Sequence, residues 1–342
     1  MWTKPYVTIG IIVRNEEKYI LGTLKYLVQQ SYGKDNFEII IADGWSTDHT
    51  REFSIDFLQR EHITHKVINE REYPNKRKGV PYWPSFGRNV IIVEASIRSE
   101  YIAWIDGDCR ADLHWLERLV HKIHWTDATI VAAGWPRLVE TQWHISSREL
   151  MINYYFTSRI MTMWNPAFAV MENVQFVESL AGYNSIYKID VIKKYMYSTR
   201  YAFNNDDIEI NFRIRKDWYK LAYAPEAKIY HRQNETVCEF LRHLVAYGEW
   251  AARTCKIHKA FPRIYVPLSV WYFLYTLLLI ILLPLQWPIF LIPYILVFFL
   301  SVAVFVENIK KTKSWQSLKV FILVFAHPFM YGYGFVREMF RK

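Results

Sequence analysis

Cysteine is scarce. The 342-residue chain has three, Cys109, Cys238 and Cys255, far apart and in no C-x-x-C pair, which excludes a disulfide framework and a zinc knuckle and places the working part of the chain in a reducing compartment. Neither G-x-G-x-x-G nor G-x-x-x-x-G-K-[ST] occurs, so the backbone cradles of dinucleotide folds and P-loop ATPases are missing. There is no internal repeat and no leader pattern: MWTKPYVTIGIIVRNEE turns charged after a short apolar run without a small-residue cleavage site, and reads as a first strand. Charge is modest, at 22% against 52% hydrophobic and 17% aromatic residues, a core-forming composition that excludes a disordered or low-complexity chain. The net charge of +9 suits anionic lipid, nucleic acid or phosphate-bearing ligands equally well. No clustered basic and aromatic motif lies in the soluble part, which argues against a nucleic-acid partner.

Ile264 to Val306 contains no formal charge. A run of that length is about twice the ~20 residues that cross a bilayer core. Pro284 to Pro288 interrupts it, so two spans joined by a tight turn are expected. Arg253, Lys256, Lys259 and Arg263 precede it and Lys310, Lys311, Lys313 and Lys319 follow, which puts both flanks on the cytoplasmic side and the turn outside. A third uncharged run, Val320 to Val336, carries His327-Pro328, Gly332 and Gly334 and ends in a basic tail. A re-entrant or interfacial segment is expected there, with Pro328 removing a backbone donor and the glycines loosening the following turn. Phe240 to Lys259 mixes apolar and basic positions at helical spacing, as a surface-lying amphipathic helix does.

The preceding residues alternate β-branched runs with amphipathic stretches. Strands are expected at Tyr6–Val13, Phe37–Ala42, His65–Asn69 and Tyr101–Ile105, with helices near Glu16–Gln30, Asp48–Arg60 and Ser85–Ile97. That alternation predicts an α/β fold with a mainly parallel, doubly wound sheet, whose ligands bind beyond the carboxyl ends of the strands. Three clusters stand at such ends: Arg14-Asn15-Glu16-Glu17, Asp43-Gly44-Trp45-Ser46-Thr47-Asp48, and Asp106-Gly107-Asp108. A D-x-D triplet lets two carboxylates share a hard divalent cation and, through it, diphosphate oxygens, although Asp-Gly is also ordinary turn chemistry. Asp48 suits a helix N-cap. The aromatic-rich stretch between Gln142 and Val177 fits plain core and a membrane-dipping loop equally well.

IGIIVRNEE, IIIADGWSTDHT and GRNVIIVEASIRSEYIAWIDGDCRADLHWLE together resemble the nucleotide-sugar half of the inverting glycosyltransferases of family two, which have the Rossmann-like GT-A fold. LAGYNSIYKIDVI and FNNDDIEINFRIRKDWYKLAYAPEAKIYHR resemble their acceptor half. The resemblance runs over about residues 5 to 250, nearest to membrane-attached enzymes that build lipid-linked glycans, such as succinoglycan-type glucosyltransferases. It implies a UDP- or GDP-sugar donor, Mg²⁺ or Mn²⁺, a polyprenyl-linked acceptor and a multi-pass protein of the cell membrane with a cytoplasmic catalytic domain. Carried over by position, Asp43, the Arg14, Asn15 and Glu16 segment, Arg88 and Asp106 would face the donor. Arg14 suits a plain surface position equally. Asp108, with Asp106, would hold the metal, with His231 as a further candidate. Gly182, Asn184, Asp206 and Glu209 would lie on the acceptor side, and Asp207 would be the general base. Asp206 also suits an acidic helix cap, and His231 a surface histidine. Tyr247-Gly248-Glu249-Trp250 stands where processive synthases carry Q-x-x-R-W and lacks its Gln and Arg, which weakens a polymerising role.

The expected organisation is a catalytic domain over residues 1–235, an interfacial helix over 236–263, and a membrane domain over 264–342 with apolar segments near 264–283, 288–306 and 320–336. Rival functions are a polyprenyl-phosphate glycosyl synthase, whose ionised phosphate nucleophile needs no base, and a non-catalytic nucleotide-sugar-binding scaffold.

Overall fold

The computed structural model describes residues 3–73, 84–124, 127–134, 138–139, 155, 158, 175–199, 206–231, 236–260, 265–282, 291–313 and 315–341. The chain divides into two compact units, Met1–Glu140 with Val170–Arg232, and Thr141–Ala169 with Gln233–Lys342.

The first unit is built on strands β1 (Tyr6–Val13), β2 (Phe37–Asp43), β3 (His65–Asn69), β4 (Ser99–Ile105), β5 (Cys109–Ala111), β6 (Ile130–Gly134), β7 (Leu138–Val139), β8 (Asn184–Lys188), β9 (Lys220–Tyr223) and β10 (Ile229–His231). Its helices are α1 (Ile20–Val28), α2 (Thr50–Arg60), α3 (Pro84–Glu94), α4 (Trp115–His124), α5 (Ile189–Tyr195) and α6 (Asp206–Lys216). The main sheet runs β3-β2-β1-β4-β8-β6-β9. β1 pairs in parallel with both β2 and β4, and β8 is antiparallel to β4 and β6. The order reverses at β1, which makes the carboxyl ends of β1, β2 and β4 a topological switch point.

Burial explains these elements. α1 buries Ile20, Thr23, Leu24, Leu27 and Val28, and α4 buries Trp115, Leu116, Leu119, Val120 and Ile123, the i, i+3, i+4 stripe of a helix lying on a sheet. β2 is buried at every position, as a strand covered on both faces must be. Away from the switch point, Thr8 donates to Glu38 at 2.7 Å and Glu38 also accepts from the Ser96 N–H at 2.7 Å, so this buried carboxylate is satisfied. The antiparallel β8 is the element that completes the site. Its register sets Asn184 opposite Ile105, which carries the Gly182-Tyr183 approach to the turn after β4.

The second unit holds α7 (Val237–His258), α8 (Tyr265–Leu282), α9 (Ile292–Thr312) and α10 (Val320–Met339). A capping box opens α7: Thr236 accepts from the Glu239 N–H at 3.2 Å and Glu239 accepts from the Thr236 N–H at 2.7 Å. The stretches Ile292–Lys310 and Val320–Met339 are long and apolar enough to be candidate membrane spans, and the apolar part of α8, Val266–Leu279, is shorter. Leu268, Trp271, Leu274 and Leu278 of α8 and Ile292, Ile295, Leu296 and Phe299 of α9 are exposed, an apolar surface unlike that of a water-soluble bundle.

The third apolar run forms one unbroken helix: α10 continues through Pro328, without the re-entrant break that was one of its two expected forms. Its glycines do not loosen a turn but permit helix contact. A Cβ on Gly334 would stand 2.0 Å from the Val245 carbonyl oxygen of α7, and one on Gly332 would stand 2.3 Å from the Ser269 oxygen of α8. Gly248 of α7 answers from the other side, its Cβ position 2.0 Å from the Tyr331 oxygen. Backbones approach this closely only where side chains are absent. Arg253 clamps the far end of the pair, donating to Glu338 at 2.8 and 3.2 Å.

Candidate active site

The loops after β1 and β2 hold each other. The Asn15 N–H donates to the Ser46 hydroxyl at 2.9 Å, and the Asn15 side-chain oxygen accepts from the Thr47 N–H at 2.8 Å. The Glu16 N–H donates to Thr50 at 2.7 Å and the Glu17 N–H to Asp48 at 3.2 Å. Asn15 takes a left-handed conformation, φ 58°, which asparagine tolerates better than most residues. Its amide oxygen is therefore a loop tie, while Arg14 is exposed. Asp48 was expected at the N-cap, but His49 occupies that position. Asp48 acts one residue earlier and accepts from the Thr50 N–H at 3.1 Å. Asp43 ends β2, buried, and accepts from the Ser46 N–H at 3.3 Å.

Beyond β4 the chain turns through Asp106-Gly107-Asp108 into β5. Gly107 is required for packing, since a Cβ there would lie 2.9 Å from Val13 Cγ1 and 3.6 Å from Glu16 Cγ. That absence of a side chain seats Glu16 against the acidic turn. β10 pairs antiparallel with β5 and sets His231 opposite Cys109. The His231 Nε2 atom then stands 3.5 Å from Asp106 Oδ2 and 3.6 Å from Asp108 Oδ1. Asp108, Cys109 and His231 each present a ligand atom within 4.8 Å of the others. Burial, followed by the charges of Asp108 and Asp106, pushes the Glu16 carboxyl up to about 8. Carboxylates crowded in this way, with an imidazole beside them, are a donor set for a hard divalent cation, Mg²⁺ or Mn²⁺. Cys109, a softer donor, escaped the sequence reasoning because only the β5–β10 register brings it to His231. Tyr183 was missed because the β8–β4 register brings it to the turn, and its ring centroid is 5.0 Å from that of His231.

The acidic cluster at the start of α6 is divided by its partners. Arg88, expected to face the donor, is buried, and its Nη1 donates to both oxygens of Asp206 at 2.6 Å. Arg213 takes Glu209 in a two-pronged pair at 2.8 and 2.9 Å and also donates to the carbonyls of Tyr195 and Met196 at 2.6 Å. Glu209 thus holds the Arg213 guanidinium, which ties α6 to the end of α5. Asp207 accepts from the Gly182 N–H at 3.0 Å and from its neighbour Ile208 N–H at 2.8 Å. Burial, then the charge of Asp206, raises its carboxyl to about 6 against the opposing pull of Arg88. Asn184 is committed to packing, accepting from the Trp115 indole at 2.7 Å and donating to the Ala227 carbonyl at 2.9 Å. Gly182 and Asp207 are therefore brought together, and Asp206 joins them through Arg88.

Comparison with known proteins agrees with this architecture. Over 98% of both chains, the sequence is 23% identical to a dolichyl N-acetyl-α-D-glucosaminyl phosphate 3-β-D-2,3-diacetamido-2,3-dideoxy-β-D-glucuronosyltransferase of Methanococcus voltae. Over 39% of this chain and 40% of the relative it is 29% identical to the glycosyltransferase AglE of Haloferax volcanii. The fold matches that of a mannosyltransferase from Pyrobaculum calidifontis, solved with GDP-Man and Mn²⁺, with a TM-score of 0.58 and 14% identity over 95% of this chain and 86% of that one. This is the GT-A fold, a mainly parallel Rossmann-like sheet followed by apolar helices. The model of glycosyl transferase family 2 matches residues 8–181, and the chain belongs to that family.

Proposed function

We propose that the protein is a metal-dependent, inverting glycosyltransferase of the membrane, moving a sugar from a nucleotide-diphosphate donor to a hydroxyl of a polyprenyl-linked acceptor. The observation that carries this reading is Asp207, a partly buried carboxylate oriented by the Gly182 N–H and raised to about 6. A hydroxyl nucleophile must lose its proton as its oxygen bonds to the anomeric carbon and the bond to the diphosphate breaks. A carboxylate with a pKa just below neutral is ionised at pH 7 and basic enough to take that proton. An ionised lipid phosphate would have no use for such a base, so the hydroxyl acceptor is preferred over a polyprenyl-phosphate synthase. The Methanococcus relative, named for a dolichyl-linked saccharide acceptor, supports the same choice.

Glu16, Asp106, Asp108 and His231 are assigned to the cation, which would neutralise the departing diphosphate. Asp43 and Arg14-Asn15 are assigned to the base and ribose, and the neighbour solved with GDP-Man and Mn²⁺ is consistent with that donor class. The basic residues on either side of the apolar stretches of α8 and α9, Arg253, Lys256 and Lys259 before them and Lys310, Lys311 and Lys313 after, favour a cytoplasmic catalytic domain with these two helices crossing the bilayer as a hairpin. The assay is a screen of UDP- and GDP-sugars with the full chain in membrane extract, read by mass spectrometry of the lipid product. Addition of one sugar to a lipid-linked saccharide is expected. A product with the sugar directly on the lipid phosphate would refute the hydroxyl acceptor, and no sugar transfer with any donor would refute the enzyme reading in favour of a scaffold.

A further inference from the structure

We infer that Arg88 is a positioning residue that acts on Asp207 through Asp206, holding the buried one of two adjacent carboxylates so that the other, Asp207, can serve as the base. The inference deepens the reading of Asp207 as general base and rests on it.

Arg88 lies in the second turn of α3, 118 residues from Asp206 in sequence, yet it donates at 2.6 Å to both Asp206 oxygens, with both side chains less than one-tenth exposed. Asp206 Oδ1 also accepts from the Asp207 N–H at 3.0 Å, so the first carboxylate is pinned from two sides. Gly182 lies between the guanidinium and the second carboxylate. Its N–H points to Asp207 Oδ2 at 3.0 Å, and a Cβ on it would meet Arg88 Nη2 at 2.5 Å. The guanidinium thus occupies the room that a side chain at 182 would need, and Gly182 transmits its position to Asp207. The groups facing Asp207 are Arg88 from α3, Asp206 on its own helix, Tyr187 from β8, and Tyr197 beyond α5. The Tyr197 ring is 5.4 Å from the guanidinium. Arg88 is the sole cation among these named groups, and its charge, ahead of the Gly182 and Ile208 N–H bonds, opposes burial and Asp206 in setting the Asp207 carboxyl. Without it, the buried Asp206 and its neighbour Asp207 ionise together only at higher pH, because adjacent like charges raise the carboxyl that ionises second.

The test is an infrared pH titration of the full chain in detergent, following the protonated-carboxyl band that Asp207→Asn removes. Wild-type protein should lose that band near pH 6. In Arg88→Gln the midpoint should rise by about one to three pH units, and adding Asp206→Asn to that variant should lower it again. Arg88→Lys, which keeps the charge without the planar guanidinium, should recover most of the wild-type midpoint. Gly182→Ala, which displaces the guanidinium and leaves its charge, should move the midpoint up by a smaller amount, and it remains available if Arg88→Gln does not fold. An unmoved midpoint in Arg88→Gln, or in Gly182→Ala where the first variant fails, overturns the inference. The base assignment fails separately: Asp207→Asn that loses the band yet transfers sugar at the wild-type rate would refute the base and leave the Arg88 coupling intact.

Discussion

Cation binding should release protons, and Glu16 sets how many. With its carboxyl at about 8, Glu16 is about nine-tenths protonated at pH 7. A divalent cation among Asp106, Asp108 and His231 favours the ionised form and should lower that carboxyl by one to three units, the range an adjacent opposite charge produces. Binding at pH 7 then releases about 0.4–0.9 of a proton from Glu16 alone. The sign for stability follows. A carboxyl raised in the fold binds more protons there than in the unfolded chain, so chelated protein should lose stability as pH climbs from the ordinary 4.5 towards 8, and saturating Mn²⁺ should reduce that loss. Calorimetric titration of the full chain with Mn²⁺, in two buffers of different ionisation enthalpy, counts the protons. Glu16→Gln should still bind the cation while releasing fewer protons. Equal release from wild type and Glu16→Gln would refute this account of the acidic cluster.

Asp207→Asn should keep donor and cation affinity while turnover falls by about 10²–10⁴, the size of a general-base contribution; a loss of donor affinity instead would reassign the residue. In wild-type enzyme kcat/KM should rise with pH through about 6, as the raised Asp207 carboxyl ionises, and then level. Asp108→Asn should weaken Mn²⁺-supported nucleotide-diphosphate binding, because a neutral amide is a poorer ligand for a hard cation; full activity in EDTA would contradict it. Gly334→Ala should destabilise α7–α10 packing. Alanine gains about 1 kcal/mol of helix propensity, but a Cβ 2.0 Å from the Val245 oxygen meets backbone that cannot yield, and overpacking of ~1–3 kcal/mol outweighs it, read as a lower thermal midpoint in detergent.

Local pattern alone determined a large part of this protein. The β-branched runs fix strands at Tyr6–Val13 and His65–Asn69, the acidic start of Asp206–Lys216 fixes a helix, and the sharp composition change before α8 marks the apolar helices. The acidic turn Asp106-Gly107-Asp108 was legible because its chemistry and its place after a strand are both written in adjacent residues. What tertiary structure decided is which distant groups meet. The antiparallel register of β10 on β5 joins His231 to Cys109 and Asp108, and nothing local encodes a partner more than a hundred residues away. Arg88 could be read as facing the donor until the fold brought Asp206, at the start of α6, against it. Glu209 and Asn184, polar residues within recognisable motifs, were claimed for packing by Arg213 and Trp115, since a buried polar group takes whichever partner the fold brings within reach. Gly332 and Gly334 look like flexibility in a sequence, whereas close contact with α7 and α8 makes them rigid, because a missing side chain loosens a lone helix and tightens a packed one.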